Sequence, residues 1–251
     1  MRTYDDLVTE AGQADVTGWD FSWLNGRATE ERPPWGYTRQ LAQRLPQAEH
    51  AVDLDTGGGE VLAGMPRLAQ QMSATEAWPP NAAKARTLLQ PRGVNLVECT
   101  TDRMPFADAT FDLVTSRHPI TPHWHEIARI LRDGGTYFAQ HVGPASAFEL
   151  IEHFLGPLSS ARHARDPEQE AKDAQKAGFE ITEVRTARCR MEFHDIGAVV
   201  WTLRRCPWWV PDFDVERYDQ HLRTLDEKLR TGEPFVAHST RTLIEARRRA
   251  R

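Results

Sequence analysis

Residues 51–60 read AVDLDTGGGE: aliphatic positions alternate with Asp53 and Asp55, and Thr56 leads straight into Gly57, Gly58 and Gly59. Consecutive glycines between a strand and a helical pattern let the chain turn tightly and present backbone N–H groups to a ligand that approaches closely. Asp53, at the strand's end, is placed to accept hydrogen bonds from an ammonium group or from the turn amides. A further carboxylate follows in SATEAW, where Glu76 ends the next apolar run and can accept both hydroxyls of a ribose. A dinucleotide fold asks for G-x-G-x-x-G, but Val61 and Leu62 stand where the third glycine would fall. A pyrophosphate is the poorer fit to this turn.

These residues need a sheet to hold them. Aliphatic runs predict strands over 50–55, 71–76, 94–99, 111–116, 135–142, 179–187 and 239–246, with the helical patterns EVLAGMPRLA, NAAKARTLLQ and HWHEIARILR between the first five. Alternating strands and helices imply an α/β fold with a doubly wound, mostly parallel, seven-stranded sheet. Ligands of such sheets bind beyond the carboxyl ends of the strands, which is where the glycine turn and Glu76 fall. Residues 1–45 read as a helical N-terminal segment, broken in RPPWG by Pro33 and Pro34. A helical insertion at about 190–234 separates the last two strands, so the main domain is expected over 46–251.

Bulk properties narrow the partners. A net charge of -5 gives no general attraction for nucleic acid or anionic lipid. No apolar run reaches the length of a membrane span or a signal peptide. Cys99, Cys189 and Cys206 are scattered with no CxxC pair, which argues against a disulfide framework or a thiolate zinc site. His123 and His125 flank Trp124 without an acid trio nearby, a pattern better matched by solvent exposure than by a metal. The expectation is a cytoplasmic protein with a small-molecule partner and no metal.

Four segments, VDLDTGGGE, TEAW, TDRMPFADATFDLVTSRH and HEIARILRDGGTYFAQHVG, together resemble the class I S-adenosylmethionine-dependent methyltransferases. The resemblance covers roughly residues 45–145. It is closest in MPFADATFDLV and EIARILRDGG, similar to the family's LPF-x-D-x-x-FDLV and E-x-x-R-VL-x-PGG. It implies S-adenosylmethionine as cofactor and a last strand that runs antiparallel. Carried over by position, it puts Asp53, Asp55, Thr56, Gly57 and Gly59 at the methionyl end of that cofactor and Glu76, Ala77 and Trp78 at its ribose. Thr101, Asp102, Arg103 and Met104 fall at the adenine, and Ser116 and Arg117 line the exit of the fourth strand beneath the methyl group. Asp55 departs from the family by replacing its first glycine, at a backbone shape aspartate tolerates better than most residues. Counted back from Phe106 without gaps, the usual adenine aspartate falls on Thr100, so Asp102 requires a shortened loop.

Methyl transfer from a sulfonium is an in-line displacement in which the protein positions and desolvates the nucleophile. A histidine base helps when the acceptor carries a proton of high pKa, and His118 and His141 follow or end strands at the right side of the sheet. Trp19, Trp23, Trp35, His194 and Trp201 lie in regions that resemble the lid over the acceptor, and the concentration of aromatics there points to an apolar pocket for a small molecule. The resulting expectation is methyl transfer to a small-molecule acceptor. Methylation of RNA or protein, or cofactor binding without methyl transfer, are the alternatives.

Overall fold

The computed structural model describes residues 2–17 and 20–250. Its strands are β1 (Ala28–Glu30), β2 (His50–Leu54), β3 (Gln71–Thr75), β4 (Asn95–Val97), β5 (Phe111–Arg117), β6 (Leu131–Val142), β7 (Phe179–Phe193) and β8 (Phe235–Arg248). They join in the order β1-β7-β8-β6-β5-β2-β3-β4. From β6 through β4 the pairings are parallel, and β8 runs antiparallel to β6. Every strand read from the sequence is present. The sheet has eight strands instead of seven because β1, only three residues long, pairs with the unexpected extension of β7 as far as Phe193. Three residues are too few to display an alternating pattern.

The helices are α1 (Tyr4–Gln13), α2 (Tyr37–Arg44), α3 (Glu60–Ala63), α4 (Pro79–Leu89), α5 (Trp124–Ile130), α6 (Phe148–Leu155), α7 (Pro167–Lys176), α8 (Ile196–Arg205) and α9 (Asp219–Leu229). The helix expected over EVLAGMPRLA is a single turn, α3. Gly64 caps it, and Pro66 two residues on cannot continue it. Helices α6 and α7 have no counterpart in the sequence reading.

The chain forms two compact units. One holds residues up to 32 with 145–164 and 188–240; its core gathers Leu7, Val8 and Ala11 of α1 with Val199, Val200, Trp201 and Leu203 of α8 and Leu222 and Leu225 of α9. The other holds 33–144, 165–187 and 241 onward. The first unit's leading segment ends at residue 32, and Tyr37, Leu41 and Leu45 belong to the second unit's core.

Within that second unit the sheet's alternation separates two layers. Ala51, Leu113, Phe138 and Leu243 pack with α2 and α4 through Tyr37, Leu41, Ala85 and Leu89. Val52, Val114, Tyr137 and Ile244 pack with α5 and α7 through Trp124, Ile127 and Ala174. Asp53 and Thr115 project from the first of these faces, each two residues beyond a member of that layer.

Candidate active site

The glycine turn follows β2 directly. Asp55 has φ 53°, Gly57 φ 65° and Gly59 φ 83°, so three of five consecutive residues sit in the left-handed region. Aspartate tolerates it, and glycine adopts it without steric cost. Gly59 is required on a second ground: a Cβ there would lie 3.0 Å from Leu89 Cδ1 and 3.2 Å from Ala85 Cα, so the turn could not press so closely on α4.

The neighbouring strand fixes the turn. Thr56 N–H donates to Thr75 O at 2.9 Å and Asp55 N–H to Thr75 Oγ1 at 3.2 Å. Glu76, buried just past β3, accepts Gly57 N–H on Oε2 and Trp78 N–H on Oε1, both at 2.8 Å. A carboxylate has about four acceptor sites, so these two bonds leave capacity for further donors. Ala77 is exposed, and the Trp78 indole beside it is 50% exposed.

Three carboxylates therefore meet at the carboxyl ends of β2 and β3. Burial pushes the Asp53 carboxyl up to about 6, against the hydroxyl of Thr115, which donates to Oδ1 at 2.6 Å. Burial, reinforced by the charges of Glu76 and Asp53, raises Asp55 to about 6 as well. Burial also raises Glu76. Such a set costs free energy when ionised and is relieved by a cationic or hydroxyl-rich ligand.

Residues 101–106 form the next loop. Thr101 and Met104 are buried, while Asp102 and Arg103 are exposed; the Thr100 hydroxyl holds the Asp102 carboxyl below its usual range. The loop is tied to α5 through the E-x-x-R pair. Glu126 accepts Met104 N–H at 2.7 Å. Arg129 donates to Met104 O at 3.0 Å, to Phe106 O at 2.7 Å, and to the carboxylates of Asp108 and Glu126. Residues 102–106 with Glu126 and Arg129 line an open hollow.

At the end of β5, Ser116 is buried and donates to Leu54 O. Its own carbonyl accepts the Tyr37 hydroxyl at 3.1 Å, while the Tyr37 ring stacks on Phe138. Arg117 ends the strand, and His118 follows at φ 63° with its N–H on Gln140 O at 2.7 Å.

A chain of side-chain bonds settles the state of His118. Trp35 Nε1–H, which can only donate, lies 2.8 Å from Gln140 Oε1. The Gln140 amide nitrogen therefore faces His118 Nε2 at 3.0 Å and donates to it. His118 Nε2 must be an unprotonated acceptor, and the ring's proton sits on Nδ1. Burial, and after it the charges of Arg241 and Arg117, hold this imidazole well below its usual pKa. His118 is accordingly a neutral N–H donor whose lone pair is engaged.

His141 points to the other layer. Its Nδ1 lies 2.8 Å from Glu170 Oε2 and its Nε2 2.9 Å from the Tyr137 hydroxyl, and the residue is buried beside Trp124.

The aromatic residues divide between the units. Trp35 is buried in the second unit. Trp23 stacks on Trp201 at 5.6 Å in the first, where Trp201 is 1% exposed and donates to Asp15 O, so these two rings serve that unit's packing. His194 is exposed there, beside Glu192 at 3.8 Å. Trp19 lies outside the described residues. Sequence reasoning missed Gln140, Tyr37 and Glu170, whose partners are set by strand register and helix placement rather than by any local pattern.

Residues 52–139 match a family model described as a methyltransferase domain. The uncharacterized methyltransferase YcgJ of Bacillus subtilis (strain 168) is 26% identical over 133 residues, which cover 48% of this chain and 52% of YcgJ. The chain thus spans about half the length of the curated relative it matches. The YcgJ crystal structure has a TM-score of 0.58 at 15% identity, covering 86% of this chain and 99% of that one. A candidate methyltransferase from Bacillus halodurans C-125 has a TM-score of 0.61 at 19% identity, with coverage of 85% and 97%. A Haemonchus contortus phosphoethanolamine N-methyltransferase, solved with phosphomonomethylethanolamine and S-adenosylhomocysteine, has a TM-score of 0.55 at 15% identity and covers 100% of this chain and 61% of that one. The structural likenesses speak for the fold, and the segment that matches the methyltransferase domain runs from the strand before the glycine turn into β6.

Proposed function

We propose that the protein transfers a methyl group from S-adenosylmethionine to a small-molecule acceptor. The observation that carries this reading is the bond between Glu76 and Gly57, which joins the buried carboxylates of Asp53 and Glu76, the half-buried carboxylate of Asp55 and a left-handed glycine turn into one cradle at the ends of β2 and β3. The donor set fits the cofactor. Asp53 and Asp55 match an ammonium group, Thr56, Gly57 and Gly59 present backbone to the methionyl end, and the spare acceptor capacity of Glu76 matches a pair of ribose hydroxyls beside Ala77 and Trp78. The pinned loop of Thr101, Asp102, Arg103 and Met104 would border the adenine.

When bound, the cofactor supplies an electrophilic methyl group on a sulfonium. The chain's own residues bind, orient and exclude water. Ser116 and Arg117 end β5 next to the turn, and His118, neutral and donating through Nδ1, orients an acceptor atom. Calorimetry with S-adenosylmethionine and S-adenosylhomocysteine, followed by a methyl-release assay on candidate acceptors, tests the proposal. Micromolar binding with turnover is expected. Absence of binding at millimolar concentration would sink it, and binding without turnover on any acceptor would leave a cofactor-binding protein.

A further inference from the structure

Gln140 holds His118 at two points. Its backbone carbonyl accepts His118 N–H at 2.7 Å, and its side-chain amide nitrogen stands 3.0 Å from His118 Nε2. The amide is fixed in turn from behind. Trp35 Nε1–H occupies Gln140 Oε1 at 2.8 Å, the Trp35 carbonyl accepts the Gln40 side-chain amide of α2 at 2.9 Å, and both Trp35 and Gln140 are buried. An indole N–H cannot accept, so a reversed Gln140 amide would set two donors against each other. His118 also sits at φ 63°, a backbone shape that a residue with a side chain keeps only where its surroundings over-determine it, most often at a functional site.

The ring that results is asymmetric. Nε2 is committed to the Gln140 amide, whereas no described residue accepts from Nδ1, and Nδ1 is not among the sealed polar atoms that lack a partner. His118 is half-buried, so Nδ1–H is the ring's accessible polar group. Burial also opposes a second proton. The charged or titratable groups that act on the ring are Arg241 on β8, Arg117 at the end of β5, His141 on β6 and Arg165 ahead of α7, and each of them opposes it too.

We infer that Trp35 and Gln140 are positioning residues that lock His118 into the Nδ1–H tautomer, making it a standing hydrogen-bond donor to the acceptor and not its base. The inference rests on the methyl-transfer reading of the same site and narrows the acceptor. The atom that meets Nδ1 brings a lone pair, as a carbonyl, a hydroxyl or a neutral amine does and an ammonium group does not. In the transfer, the nucleophile's lone pair forms the bond to the methyl carbon and the carbon–sulfur pair stays on sulfur. A proton shed by the nucleophile passes to water, because Nε2 is already engaged.

The test is nitrogen NMR of the histidine rings in the 251-residue chain, with and without S-adenosylhomocysteine, His118 being identified by its loss in His118→Asn. The proton is expected on Nδ1 from about pH 8 to about pH 5, the interval in which an ordinary histidine titrates. Gln140→Glu replaces the donor with an acceptor, so the proton should move to Nε2 and the ring should titrate at higher pH than in the parent. Trp35→Phe frees the amide to turn and should give mixed tautomers. A parent ring protonated on Nε2, or one that titrates near about 6.5, overturns the inference, as does a parent tautomer kept in both variants. On an acceptor found by methyl release, His118→Asn retains an amide N–H but no base. Its turnover should stay within about tenfold of the parent at every pH, and a loss of about a hundredfold or more overturns the inference by making His118 the base. Failure of the parent chain to bind S-adenosylhomocysteine defeats the methyl-transfer reading instead, while the tautomer of the unliganded ring still decides the lock.

Discussion

Glu76 and Gly57 meet at 2.8 Å, the carboxylate of one accepting the backbone N–H of the other, so the end of β3 holds the turn that follows β2. One side chain therefore shapes the cradle and remains able to bind what enters it. Glu76→Ala removes both roles. Cofactor affinity is expected to fall by about 1–3 kcal/mol, the range for losing a charged hydrogen-bonding partner, and the thermal midpoint to fall because Gly57 and Trp78 lose their acceptor. Glu76→Gln keeps one carbonyl acceptor and should fall between. Calorimetry paired with thermal melts checks both effects, and an unchanged affinity would misplace the ribose.

The raised carboxyls of Asp53 and Asp55 set a pH dependence with a definite sign. Burial raises each to about 6 in the folded chain, against 3.8 for an ordinary aspartate. Between those values the folded state holds more protons than the unfolded one, so their contribution to stability is fully present below about 4 and is lost as pH rises through about 6. A cationic ligand prefers the ionised carboxylates, so its affinity should rise over the same interval and its binding near pH 6 should release protons. Calorimetry in buffers of different ionisation enthalpy reads the proton count directly. Asp53→Asn is expected to stabilise the ligand-free protein and weaken the cofactor.

Arg129 acts at a distance from the cradle. It ties the carbonyls of Met104 and Phe106 and the carboxylate of Asp108 to α5, with Glu126 completing the clamp on Met104 N–H. Hydrogen bonding to Arg129 lowers the Glu126 carboxyl, in keeping with a persistent ion pair. Arg129→Ala should leave residues 102–108 faster to exchange their amide protons and raise the dissociation constant for the cofactor several-fold, while the β2 turn keeps its protection. Lysine should rescue little, because one ammonium cannot reach four acceptors arranged for a planar fork. Hydrogen exchange with and without cofactor distinguishes a loosened loop from global destabilisation.

These relationships differ in how far the sequence discloses them. The β2 turn and Glu76 are local: glycines, aspartates and an apolar run announce a left-handed corner at a strand's end, and Asp55 and Gly59 adopt that shape. The role of the E-x-x-R pair is half disclosed, since its spacing places both side chains on one helix face but not its target 22 to 25 residues away in the chain. Gln140 is undisclosed. Its partners Trp35 and His118 are 105 and 22 residues distant, and only the β5–β6 register brings them together. The stacking of half-buried Trp23 on buried Trp201 is undisclosed for a related reason: the two are 178 residues apart in the chain, and clustering in sequence cannot separate a core from a pocket.

His141 and His118 illustrate the same difference and yield a final expectation. Both lie at carboxyl ends of strands, yet alternation sends His141 to the layer of α5 and α7, away from Asp53. Glu170, if ionised, can only accept, so Nδ1 carries the His141 proton and Nε2 receives the Tyr137 hydroxyl. Burial raises the Tyr137 hydroxyl's pKa well above its usual value, so it stays protonated and continues to donate. In the set Glu170–His141–Tyr137 both ring nitrogens of His141 are thus engaged. His141→Phe leaves the buried Tyr137 hydroxyl and the half-buried Glu170 carboxylate without this partner, and a loss of roughly 1–3 kcal/mol is expected. Methyl-transfer turnover, assayed well below the melting point, should stay within about tenfold of the parent. A fall of a hundredfold or more with the fold intact would instead make His141 a participant in the chemistry, since removing a general base costs at least about that much.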